Sequence, residues 1–186
     1  MKTEEDKISA GKSRLPLQDS ASVRRASARA VVETAVMSAM LVAGKLALSF
    51  IPNVEVVTTL VIVFGVTFGF KAVAATLIFC TADMFLYAFS IDVAIAYFVY
   101  WDALAAAAAI MSRAGIKAGY AYLILALVGT LSFGVLTSLT YSLIYSVPFA
   151  PAYVFGLPFY AAQLLSSLVF MSVGFAPLCR VLRRIR

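Results

Sequence analysis

The chain has 186 residues, 63% hydrophobic and only 13% charged, with a formal net charge of +6. That composition lies outside the soluble globular range and marks an integral membrane protein, with room for about six spans and no separate soluble domain. Histidine is absent, which removes the usual zinc ligands, the commonest general base and the imidazole relay, so neither a metal site nor an enzymatic constellation is expected.

Residues 1–28 form a polar tail carrying Lys2, Lys7, Lys12, Arg14, Arg24 and Arg25, expected to be cytoplasmic and disordered. The tail lacks the apolar core that a cleavable signal peptide requires. Gly11-Lys12-Ser13 is similar to the end of a phosphate-binding loop, but the loop's first glycine would fall on Asp6 and no strand precedes it. ATP hydrolysis by this chain is therefore not expected.

Six apolar segments follow at about 30–51, 54–70, 72–89, 93–111, 120–146 and 155–179. All are predicted helices, because an unpaired backbone cannot cross hydrocarbon. The connections fall at Pro52-Asn53, at Lys71, at Ser90-Ile91-Asp92, from Arg113 to Gly119 and from Val147 to Pro151. Every Lys and Arg except Lys45 lies outside the apolar segments, in or beside the two tails or in alternate connections, at Lys71 and at Arg113 with Lys117. This alternation predicts both termini on the cytoplasmic side. The expected architecture is an all-α bundle of six transmembrane helices over residues 29–180, closed by a basic cytoplasmic tail at 181–186. The basic residues flank spans instead of forming a stripe interleaved with stacking aromatics, so nucleic acid is not an expected partner. Cys80 and Cys179 lie in apolar segments at different depths and read as packing residues.

Small residues suggest where helices approach closely. Gly65 and Gly69 form a small-xxx-small pair on the short second segment, and Ala35, Ala39 and Ala43 make a smooth stripe on the first. Periodicity alone favours internal packing for that stripe. Ala103 and the run Ala105–Ala109 are ambiguous, since alanine also simply favours helix.

Ionisable groups inside spans are costly and mark candidate sites. Lys45 and Asp83 are expected about 10 Å below the outer surface, and Asp102 and Gln163 about 12 to 15 Å below it, at 1.5 Å per helical residue. Four helices thus offer polar groups in the outer half of the bundle. Two interpretations stand: Lys45 pairs with Asp83 or Asp102 only to make burial tolerable, or these groups line an outward-facing pocket for a polar small molecule. Tyr97, Tyr100, Trp101, Tyr141, Tyr145, Tyr153 and Tyr160 make up the aromatic set that would cover such a ligand, although any single tyrosine better suits the interfacial belt. Asn53 and Glu55, in the connection above the pocket, would form its lid. Glu33, close to Arg29, is an interfacial residue outside the site.

The stretch Lys45-Leu46-Ala47-Leu48-Ser49-Phe50-Ile51-Pro52-Asn53-Val54-Glu55, followed by Phe64-Gly65 and Phe68-Gly69-Phe70-Lys71, resembles the first two helices of the substrate-binding S components of energy-coupling factor (ECF) transporters. Gly156-Leu157-Pro158-Phe159 resembles the opening of their sixth helix. The resemblance implies a vitamin-sized ligand held near the outer face under the first connection, in a bacterial cytoplasmic membrane. It implies a membrane coupling protein and two ATP-binding cassette ATPases as partners, with ATP used only by those partners and no covalently bound cofactor here. It also assigns Ala35, Ala39 and Ala43 to contact with the coupling protein, and delivery to toppling of the whole subunit. The subgroup includes members resembling cobalamin transporters, which makes cobalamin or a precursor the ligand it suggests. The alternative is a small proton-coupled secondary transporter using Asp83 and Asp102 as carriers, although the two halves show no convincing internal repeat.

Overall fold

The computed structural model describes residues 15–51, 54, 56–88 and 90–185. Among these, six helices occur: α1 Leu15–Leu48, α2 Val57–Phe68, α3 Lys71–Tyr87, α4 Ile91–Arg113, α5 Gly119–Tyr145 and α6 Phe149–Ile185. Four of them, α1, α4, α5 and α6, are long and apolar enough to cross a bilayer, which makes this an all-helical, multi-pass membrane protein. The surface is apolar in keeping with that solvent: Val99, Leu131, Leu143 and Val173 all point outward.

α2 lies at the centre of the bundle. It carries no charge, and Val57 through Thr67 are buried without interruption. Twelve residues rich in β-branched side chains would make a poor isolated helix, so enclosure by neighbours supplies its stability. Helices in lipid gain little from apolar burial and are held by close packing and interhelical hydrogen bonds. Gly65 provides the closest packing, since a Cβ there would stand 2.7 Å from the Ala108 Cβ and 2.8 Å from the Ala105 carbonyl oxygen of α4. The alanine run of α4 is thereby explained as the flat surface that receives α2, with Ala105, Ala108 and Ala109 buried. Gly69 has a different role from Gly65. It takes φ +66°, which favours glycine, ends α2, and donates its N–H to the Gly65 carbonyl at 3.0 Å.

Hydroxyls supply the interhelical bonds. Ser38 donates to the Ala75 carbonyl at 3.1 Å, joining α1 to α3, and Ser112 donates to the Val66 carbonyl at 3.0 Å, joining α4 to α2. Thr130 and Ser167 bond at 3.0 Å between α5 and α6. At the end of the bundle carrying the α2–α3 connection, Glu33 accepts from Arg29 at 2.8 Å and from Lys71 at 2.7 Å. Its interfacial assignment gains a partner across the bundle.

Two boundaries differ from the sequence expectation. α1 begins at Leu15 instead of near residue 30, so residues 15–28 are helical, while residues 1–14 lie outside the described ones. Hydropathy finds the part of a helix that lipid covers; the exposed Val23–Arg29 extension rests instead on the helix propensity of its Ala and Arg residues. α6 starts at Phe149, not Phe155, because Pro151 falls in the first turn, where its missing N–H would have had no helical partner.

Candidate functional site

The end of the bundle that carries the α1–α2, α3–α4 and α5–α6 connections holds most of the candidate residues. Lys45, near the end of α1, donates to Asp83 Oδ2 of α3 at 2.5 Å and to Tyr97 Oη of α4 at 3.1 Å. Its Nζ also lies 4.5 Å from the Tyr97 ring centroid, 5.3 Å from that of Tyr87 and 5.9 Å from that of Phe79. Asp83 is 1% exposed, whereas the Lys45 side chain keeps 15%. A lysine so placed offsets the desolvation of Asp83 with one ion pair, one neutral hydrogen bond and aromatic faces. Three helices are tied together at one point.

Trp101 sits behind Tyr97, with ring centroids 6.3 Å apart, and also contacts Phe79 at 6.0 Å and Tyr100 at 4.6 Å. Its Nε1 is buried, with no hydrogen-bond partner among the described residues. Asp102 does not join the ion pair. It is half-buried and accepts from the Thr76 hydroxyl of α3 at 2.5 Å. Gln163 is 3% exposed on α6, one turn before the buried Ser166 and Ser167. Asn53 and Glu55 lie outside the described residues.

Tyr141 belongs to a different part of this end, a cleft of about 580 Å³ between α4, α5 and α6. Two hydrogen bonds organise its wall: Tyr160 Oη meets Ser138 Oγ at 2.9 Å and Thr137 Oγ1 at 3.3 Å. The Tyr160 ring fits because both helices are glycine where it passes. A Cβ on Gly134 would stand 2.8 Å from the ring, and one on Gly156 would stand 2.3 Å from its hydroxyl oxygen. Gly156, which sequence places at the opening of the last helix, sits well inside α6 and clears space for Tyr160.

Asp92 also lines this cleft, and sequence reasoning passed over it as a turn residue. The structure places it in the first turn of α4, 5% exposed, accepting from Tyr145 Oη at 3.2 Å. Tyr160 belonged to the aromatic set expected to cover a ligand, but Thr137 and Ser138 were invisible as site residues, because hydroxyls are ordinary in membrane helices. The signals available in sequence were Gly134 and Gly156, which leave room between the two helices, and the aromatic character of Tyr160.

The Ala35, Ala39 and Ala43 stripe is exposed along α1. The same helix turns Met37, Ser38 and Leu41 inward, so internal packing uses the opposite face. No family model, curated protein or solved structure matches this chain.

Proposed function

We propose that the chain is the substrate-binding S component of an ECF-type importer in a bacterial cytoplasmic membrane. It captures a vitamin-sized ligand at the outer face and delivers it inward together with a membrane coupling protein and two ATP-binding cassette ATPases, which alone use ATP. The observation that carries this reading is the division of one small bundle into two surfaces. One end collects a charged and aromatic cluster beside a hydroxyl-lined cleft, while the alanine stripe of α1 is exposed and available to a helical partner.

Six spans with both termini inside form part of the proposal. α2 and α3 measure only about 18 and 26 Å at 1.5 Å per residue, short of a hydrocarbon core of about 30 Å. α2 is enclosed by protein along its length, so its ends need no lipid contact, and the alternation of basic connections supports the count. In this proposal Tyr141 contacts ligand directly, and Asn53 and Glu55 act as the lid. Tyr97, Trp101, Asp102 and Gln163 form the adjoining polar and aromatic wall, and the Lys45–Asp83 ion pair braces it from behind without contacting ligand. Cobalamin or a precursor is the ligand that the resemblance suggests. The proton-carrier alternative has less support, since Asp83 is bonded to Lys45 and Asp102 to Thr76.

Replacing Ala39 with Trp tests the division. The wild type is expected to copurify with a coupling protein and support uptake, and the Ala39→Trp variant to keep its ligand while losing both. The proposal fails if no coupling protein associates with the wild type, or if the variant loses ligand as completely as uptake.

A further inference from the structure

Asp92 is the one charged group among the described residues that line the cleft between α4, α5 and α6. No Lys or Arg forms an ion pair with it among the described residues. Lys45 is engaged with Asp83, Lys71 and Arg113 lie at the opposite ends of their helices, and Lys117 lies in the connection that follows Arg113. A carboxylate offers about four lone-pair sites, and the Tyr145 hydroxyl at 3.2 Å occupies one of them. The first turn of α4 complements a negative group through its aligned peptide dipoles, yet dipoles do not replace a counter-charge. A buried carboxylate without a cation is costly near a bilayer, and such costs persist where they serve binding.

The rest of the cleft is aromatic and hydroxylic. Tyr141 and Tyr160 line it, each backed by a second tyrosine outside the lining, Tyr145 at 4.8 Å and Tyr153 at 5.7 Å between ring centroids. Phe155 and Phe159 complete an apolar rim. Aromatic faces attract a cation and stack on a flat ring, while the Ser138 and Tyr160 hydroxyl oxygens can accept from ligand N–H or O–H groups. An anionic group would meet Asp92 with no compensating base.

We propose that this cleft selects a positively charged, ring-bearing ligand, an organic ammonium or a protonated or quaternary heterocycle, with Asp92 as its counter-ion. The inference rests on the reading of the chain as a binding subunit and adds the charge class of what is bound. An ammonium lipid headgroup offers the same charge, so the test must separate the two sources.

Full-length protein in maltoside detergent is titrated, with ligand-detected NMR, against three probes of similar shape: benzylammonium, benzyl alcohol and benzoate. The expected order is benzylammonium tightest, by roughly tenfold or more over benzyl alcohol, with benzoate weakest. Asp92→Asn should abolish that preference, and Asp92→Glu should retain most of it. Equal binding of the three probes, no binding of any of them by the wild type, or a preference unchanged in Asp92→Asn would overturn the inference. Displacement of benzylammonium by phosphatidylethanolamine but not by phosphatidylglycerol would also overturn it, assigning the site to a lipid headgroup. The wild-type comparison stands even if the Asn variant fails to fold. A neutral or anionic vitamin retained by the purified protein would sink the cation inference and leave the importer proposal intact.

Discussion

Asp83 lies one turn before the end of α3 and Asp92 in the first turn of α4, yet their surroundings are opposite. Asp83 has a lysine at 2.5 Å, placed there by a third helix, and the pair sits among the rings of Tyr97, Tyr87 and Phe79. Asp92 has one tyrosine hydroxyl at 3.2 Å and a cleft in front of it. The contrast teaches that a buried carboxylate in a membrane bundle is defined by what neutralises it. Where the chain supplies the cation, as at Asp83, the group acts as a strut; Asp92, with no Lys or Arg paired to it among the described residues, faces a cleft instead. The two carboxylates should respond differently to the same substitution.

The largest expected effect is at the strut. Lys45→Met or Asp83→Leu alone strands a charge, and each should cost about 3–5 kcal/mol, or on the order of 10 °C in thermal unfolding of detergent-solubilised protein. The double variant should recover most of that loss, since an apolar pair of similar volume leaves no orphan charge. If the single and double variants lose stability equally, the pair is not the strut described here.

A smaller loss is expected where glycine admits the Tyr160 ring. Gly134→Ala and Gly156→Ala should each cost roughly 1–3 kcal/mol from overpacking, and Tyr160→Phe in the Gly156→Ala background should recover part of the second by removing the hydroxyl that the new methyl meets. Unchanged melting in both glycine variants would show that the ring has room elsewhere. Thr76→Val should cost about 1–3 kcal/mol by leaving Asp102 without its hydroxyl donor at 2.5 Å, and Thr76→Ser should cost less. Asp92→Asn should change melting least, by less than about 1 kcal/mol, because no ion pair is broken there.

Much of the architecture was legible because lipid imposes a simple rule on sequence. The boundaries of α4 and α5 follow the hydropathy closely, running Ile91–Arg113 and Gly119–Tyr145 against expected segments of 93–111 and 120–146. That Lys45 could pair with a carboxylate was legible for the same reason, since isolated charges in apolar helices have few partners, but only the fold shows that Asp83 and not Asp102 is that partner. The cleft was not legible. Asp92 reads as a turn residue in sequence, and only the fold shows it buried at a helix start. Gly134 and Gly156 belong to different helices, and their shared purpose emerges only when one tyrosine ring is seen between them. The alanine stripe was legible as a surface, but its exposure required knowing that Met37 and Leu41 take the inward face.

The most direct measurement is mass spectrometry of the small molecule released from protein purified out of its own cell, compared among the wild type, the Lys45→Met/Asp83→Leu double variant and Asp92→Asn. The account predicts one vitamin-sized compound near one equivalent in the wild type, retained by the double variant and lost from Asp92→Asn. No retained compound in the wild type, or retention by Asp92→Asn with loss from a folded double variant, would contradict it.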